Sequence, residues 1–169
     1  QLLIENFHLP RLTRVAEQVS KDGSRKYLLG LHDGKTIETV LMPHHDHHTV
    51  CVSSQVGCAM GCSFCVTSKM GLIRNLSAGE IVEQVVEARR DATGLPLRNI
   101  VFMGMGEPLN NYNAVKSAIS LMINPNVFGF RQKCVTLSTV GVIPRIIQLA
   151  HDLPGISLAL SLHASNQDL

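Results

Sequence analysis

The sequence predicts an α/β fold: the first about four βα units of a partial (β/α) barrel, with a small N-terminal β-hairpin segment in front of it. Three observations carry this. From Thr49 onward, short apolar runs of strand type alternate with longer runs of helical period. Those strands are apolar almost throughout, as strands of a buried parallel sheet are. Polar or glycine residues stand at the end of each strand, on the face where βα barrels keep their active sites.

The hairpin comes first. Tyr27-Leu28-Leu29-Gly30-Leu31 and Thr36-Ile37-Glu38-Thr39-Val40-Leu41 are strand-like, and His32-Asp33-Gly34-Lys35 between them carries an Asp-Gly turn signal. Pro43 and the histidine-rich stretch to His48 read as a polar connector. Residues 1–48 are therefore expected to form an accessory segment, and 49–169 the N-terminal part of a barrel. Val50-Cys51-Val52-Ser53-Ser54 is the first barrel strand. Ser77, with Glu80 three residues on, makes a capping box for a helix from Ala78 to about Arg90, whose stripe is Ile81, Val82, Val85, Val86 and Ala88. Gly94 and Pro96 end it. Asn99 to Gly104 is the second strand and Asn113 to Ile123 the next helix. Cys134 to Thr139 is the third strand, followed by a helix from Ile143 to His151, and Ile156 to Leu162 is the fourth strand. A complete barrel needs roughly 250 residues. The 169-residue chain is therefore expected to be a C-terminally truncated piece of one.

Bulk composition narrows the class. Net charge is +2 and 45% of residues are hydrophobic, so a core can form and charge alone demands no polyanion. Five cysteines, three of them clustered, do not resemble a secreted disulfide framework. No apolar run is long enough to span a bilayer.

The chemistry concentrates in Gly57-Cys58-Ala59-Met60-Gly61-Cys62-Ser63-Phe64-Cys65, a C-x3-C-x2-C spacing with no fourth cysteine nearby. Structural zinc sites and electron-transfer clusters normally take four protein ligands. Three thiolates can hold three corners of a 4Fe–4S cluster and leave one iron open to a small molecule. The competing reading is zinc, with His44, His45, His47 or His48 as fourth ligand. Gly104-Met105-Gly106-Glu107-Pro108 ends the second strand; its glycines permit close backbone approach and Glu107 can accept hydrogen bonds from an ammonium group. Ser138 ends the third strand, and Ser161-Leu162-His163 the fourth. Cys51 and Cys134 read on their own as small core hydrophobes, and Glu38 as a solvated carboxylate. Lys69, Arg74, Arg89, Arg90, Arg98, Arg131 and Lys133 could face RNA. Aromatic residues are only 4%, so most of these charges read as solvated helix faces.

Taken together, the string Cys51 to Cys58, the cysteine loop, Arg74-Asn75-Leu76, Gly104 to Leu109, Val135 to Thr139 and Ala159 to Ala164 resemble the radical S-adenosylmethionine (SAM) RNA adenine methyltransferases. The resemblance implies that Cys58, Cys62 and Cys65 ligate a 4Fe–4S cluster. It implies that Gly106, Glu107, Ser138, Ser161, Leu162 and His163 hold SAM. Glu38 stands where the family has a proton-accepting glutamate, and Cys51 where it has the cysteine that resolves a covalent RNA–enzyme adduct. The implied activity is methylation of carbon 2 of an adenosine in 23S rRNA, and in some members of tRNA, through a methyl-cysteine whose thiol lies outside this chain. The piece alone is then expected to be inactive. Alternatives are the carbon-8 methylating branch of the family and a non-enzymatic Cys3His zinc- and RNA-binding module. The resemblance further implies an RNA substrate, an electron donor such as a flavodoxin-type protein, a monomer, no membrane, and a cytoplasmic location (organellar in a eukaryote).

Overall fold

The computed structural model describes residues 11–162. Nine strands and four α-helices follow in order: β1 (Thr13–Val19), β2 (Arg25–Gly30), β3 (Thr36–Pro43), β4 (His48–Cys51), β5 (Gln55–Gly57), α1 (Val66–Lys69), β6 (Leu72–Asn75), α2 (Ala78–Asp91), β7 (Leu97–Phe102), α3 (Tyr112–Ile123), β8 (Val135–Thr139), α4 (Ile143–Asp152) and β9 (Ser157–Leu160). Seven strands form one sheet in the order β1-β2-β3-β4-β7-β8-β9, and β5 pairs with β6 in a separate ribbon. Strands β1 to β4 are mutually antiparallel; β4, β7, β8 and β9 are parallel.

The expected hairpin is β2 and β3, with Gly34 at φ 77° in its turn. Its second strand hydrogen-bonds directly to β4, so hairpin and βα units share one continuous sheet. Two features were not anticipated. Strand β1 adds an antiparallel edge from a stretch with no clear alternation, and six of its seven residues are exposed. The β5–β6 ribbon flanks the cysteine loop, built from strands too short to carry a periodic signal.

The first parallel strand ends at Cys51 rather than Ser54, because the amides of Ser53 and Ser54 leave the ladder. The Ser53 amide donates to the Gln84 side chain at 2.7 Å, and the Ser54 amide to the Met105 carbonyl at 2.8 Å. Helix α2 starts as expected, with both halves of the Ser77–Glu80 capping box formed.

One face of the sheet carries the core. Ile37, Leu41, Val50, Ile100, Phe102, Val135 and Leu137 are all at most 2% exposed, and α2 and α3 pack in that layer through Ile81, Val85, Ala88, Val115, Ile119 and Met122. Gln84 is buried there with both amide atoms used. Its oxygen accepts from Thr39 Oγ1 and the Ser53 amide, and its nitrogen donates to the Ser53 carbonyl. The register then fixes the opposite face. Val40 pairs with Cys51, Cys51 with Val101, Val101 with Thr136, and Thr136 with Ser157. Side chains alternate along a strand, so Glu38, Cys51, Met103 and Ser138 all belong to this second, more open face.

Candidate functional site

Strand β4 delivers the chain to the cysteine loop at the C-terminal end of the parallel sheet. Gly57 sits at φ 77°, and a Cβ there would lie 1.9 Å from the Gly71 carbonyl oxygen, so the loop's base admits no side chain. The Cys58 amide donates to that same oxygen at 3.0 Å, closing the loop onto β6. Gly61 also has positive φ and faces open space.

Cys58, Cys62 and Cys65 border a cavity of about 350 Å³ together with Gly104, Gly106, Glu107, Ser138 and Ser161. The structure thus gathers, at one strand-end mouth, residues drawn from four separate βα units. Cys58 is buried, and burial pushes its thiol pKa up; Cys62, Cys65 and Glu107 are near enough to push it the same way. Ser138 and Ser161 hydroxyls lie 3.0 Å apart, joining β8 to the end of β9. Leu162 is exposed and does not line the cavity, and His163 lies outside the described residues.

Glu107 is 3% exposed. Its Oε1 accepts from the Leu109 amide and its Oε2 from the Val140 amide, both at 3.0 Å, so the carboxylate ties the end of β7 to the turn after β8. A carboxylate offers about four lone-pair sites, so two remain for a donor in the cavity. The close approach that Gly104 and Gly106 permit is to the protein's own neighbouring residues. A Cβ on Gly104 would meet the Val52 carbonyl at 2.8 Å, and one on Gly106 the Gln55 side chain at 2.5 Å. In the sequence Gln55 has no assigned role beyond its place in the string Cys51 to Cys58. It accepts from the Glu107 amide at 2.9 Å and donates to Asn75 at 2.7 Å, so it couples the glycine turn to β6.

Glu38 and Cys51 do not line this cavity. They share the open sheet face, because Val40 opposes Cys51 and Glu38 lies two residues from Val40. That diagonal relation sets their Cα atoms about 7–8 Å apart. Glu38 is exposed and its Oε1 lies 3.0 Å from Lys26 Nζ, a partner with no signal in the sequence. Burial raises the Cys51 thiol pKa, an effect opposed by a hydrogen bond with the Met103 backbone.

Three cysteine thiols bordering one cavity are a donor set of the kind iron–sulfur clusters take. Among the described residues no three His, Cys, Asp or Glu side chains are grouped to hold a metal ion. The histidines needed for a Cys3His zinc site lie before β4 or, for His48, at its first residue, at the end of the sheet opposite the cysteines. His47 there stacks on His44, with ring centroids 4.7 Å apart, and contacts Asp46 and Asn99. A second cavity, about 950 Å³, lies between the β2–β3 turn and the start of α2. It contains none of the cysteines. Its Arg74 is bound to Asp33 at 2.7 Å and to Glu80 at 2.8 Å. Among the described residues no helix is long and apolar enough to cross a membrane.

A "Probable dual-specificity RNA methyltransferase RlmN" from Desulfitobacterium hafniense is 48% identical over 98% of this chain and 49% of its own length. The "Dual-specificity RNA methyltransferase RlmN" of Pelobacter propionicus is 47% identical over 96% of this chain and 46% of its own. The chain thus spans about half the length of the curated relatives it matches. A crystal structure of a radical SAM methyltransferase from Sphaerobacter thermophilus superposes with a TM-score of 0.94 at 48% identity, over 98% of this chain and 50% of that one. The radical SAM superfamily profile matches residues 52–169, from the strand before the cysteine loop onward. The chain belongs to the radical SAM superfamily.

Proposed function

We propose that this chain supplies the cluster- and SAM-binding part of an RNA methyltransferase acting on carbon 2 of adenosine in 23S rRNA, and on tRNA. The observation that carries the reading is the cavity shared by Cys58, Cys62, Cys65, Gly106, Glu107, Ser138 and Ser161, beside a sheet face bearing Glu38 and Cys51. Carbon 2 of adenine is a poor nucleophile, so ordinary transfer of a methyl cation from SAM does not reach it. A 4Fe–4S cluster, when bound, supplies the electron that turns SAM to radical chemistry.

The three thiolates of Cys58, Cys62 and Cys65 would hold that cluster, with SAM beside it. Glu107 would offer its two remaining lone-pair sites to the SAM ammonium, and the backbone at Gly106 would border the methionine end. Ser138 and Ser161 complete the far wall. Glu38 accepts the ring proton, held in position by Lys26. Cys51 then releases the product. Its thiol attacks the sulfur of the methylene-bridged cysteine, an S–S bond forms, the C–S bond breaks, and the departing carbon takes up the proton that the thiol gives up, becoming the methyl group. None of the chain's five cysteines matches the methyl-carrying one of the resembling family, so that thiol is supplied from outside these residues. An electron donor of flavodoxin type completes the system.

The test is a chimera in which residues 1–169 replace the matching 46% of the Pelobacter relative. The reconstituted chimera is incubated with 23S rRNA or tRNA, SAM and a reductant, and the digested nucleosides are analysed by mass spectrometry. The reading expects 2-methyladenosine. 8-Methyladenosine would assign the chain to the carbon-8 branch. No methylated adenosine from a chimera that holds its cluster would contradict the reading.

A further inference from the structure

The basic residues that the sequence leaves undifferentiated are sorted by the structure. Arg74 is committed to Asp33 and Glu80, and Arg90 to Glu87. Arg89, Arg98, Arg131 and Lys133 instead line one groove of about 670 Å³, together with Phe128 and Phe130. Among the described residues no carboxylate lines it. Arg98 reaches Asp46 at 2.8 Å outside the groove, while the side chains of Arg89, Arg131 and Lys133 have no hydrogen-bond or ion-pair partner among the described residues.

Their convergence is built by three elements. Arg89 lies in the last turn of α2, Arg98 is the second residue of β7, and Arg131 and Lys133 belong to the turn that enters β8. The two phenylalanine rings, 6.2 Å apart and inclined at 27°, are half-buried and packed on the core, so the loop that presents Arg131 is anchored. Four cations held this way repel one another with no internal compensation for three of them. Such an arrangement costs stability and is relieved by a bound polyanion.

We propose that this groove is a second RNA contact that takes backbone phosphates, which rests on the RNA reading above. It lies at the N-terminal ends of β7 and β8, whereas the cysteine loop lies at their C-terminal ends. Six residues of β7 separate them, about 20 Å at ~3.3 Å per residue. An RNA that touches both is therefore a folded one that runs along the protein, not a short strand held at the mouth alone. The same separation argues against an acidic electron donor here, since it would dock at the wrong end of the strands from the cysteines.

The experiment measures binding of a fluorescein-labelled tRNA transcript by anisotropy across a salt series. It compares the protein with an Arg89→Gln/Arg131→Gln/Lys133→Gln variant whose unfolding midpoint is checked. The expected result is affinity weakened about tenfold or more at low salt and a log K against log salt slope shallower by roughly 2, at ~0.7–0.9 per lost phosphate contact. An Arg89→Lys/Arg131→Lys variant keeps the slope, and so does Lys21→Gln/Lys35→Gln on the hairpins. A triple variant with unchanged affinity and slope overturns the groove while leaving the RNA reading intact. A protein that binds no transcript overturns both. An unchanged RNA slope with lost reduction of the cluster by an acidic flavoprotein assigns the groove to an electron donor instead and overturns the proposal.

Discussion

Glu107 braces the site as well as facing it. Its oxygens hold the Leu109 and Val140 amides, so Glu107→Ala leaves two buried donors unpaired. The loss should be about 2 kcal/mol of stability in urea unfolding, and Glu107→Gln, which keeps an acceptor, should lose less. Gly106→Ala is expected to destabilise by about 1–3 kcal/mol, because φ is 98° and the new Cβ meets Gln55. Cys51 carries a pH prediction. Its thiol is shifted up by burial, so it stays protonated through neutral pH and gains thiolate only above the usual thiol range near ~8.5. Alkylation with iodoacetamide, read peptide by peptide, should find Cys51 slow at neutral pH and accelerating well into the alkaline range. Fast labelling at neutral pH would contradict it. At this scale the cysteines, Glu107 and the serines were legible from their spacing against strand ends. Lys26, Gln55 and Gln84 were not, because a polar residue in a strand or helix gives no sign of its partner until register and packing are known.

Among the elements, α2 was the most legible, since its cap and stripe are both local. Ser77→Ala should cost about 1 kcal/mol, measured by thermal or urea unfolding. The Arg74 bridge joins three elements: β6, the β2–β3 turn and the first turn of α2. Its guanidinium holds the Asp33 carboxyl at about 2, below the usual ~3.9. Burial alone would raise the Glu80 pKa, but Arg74 and the Ser77 amide outweigh it and hold it low. Both carboxyls therefore contribute stability above their unfolded pKa values that is lost as pH falls through the folded ones. Urea midpoints should drop between about pH 4 and pH 2, and Arg74→Met should flatten that drop while lowering the neutral-pH midpoint. A variant that tracks the parent in acid would show the bridge to be inert. Strand β1 and the β5–β6 ribbon stayed hidden because neither has a periodic apolar pattern. One is an exposed edge, and the other is held by loop amides such as that of Cys58.

At the scale of the whole molecule, one sheet organises the chemistry by its two ends and two faces. Core side chains fill the helix-covered face, and Glu38, Cys51 and Ser138 occupy the other. The cysteine loop and glycine turn crown the C-terminal ends, and a cationic groove lies at the N-terminal ends. The parallel alternation was readable because βα units are local in sequence. The single sheet joining hairpin to βα units was not, because β3–β4 pairing depends on tertiary register. The central claim is that the strand-end cavity holds a three-cysteine cluster with one iron open to SAM. The direct test is anaerobic reconstitution with iron and sulfide, counting iron, sulfide and zinc per chain, and EPR of the reduced protein with and without SAM. About four irons per chain and a spectrum that changes on adding SAM are the predicted result. Stoichiometric zinc, or a cluster signal indifferent to SAM, would contradict it.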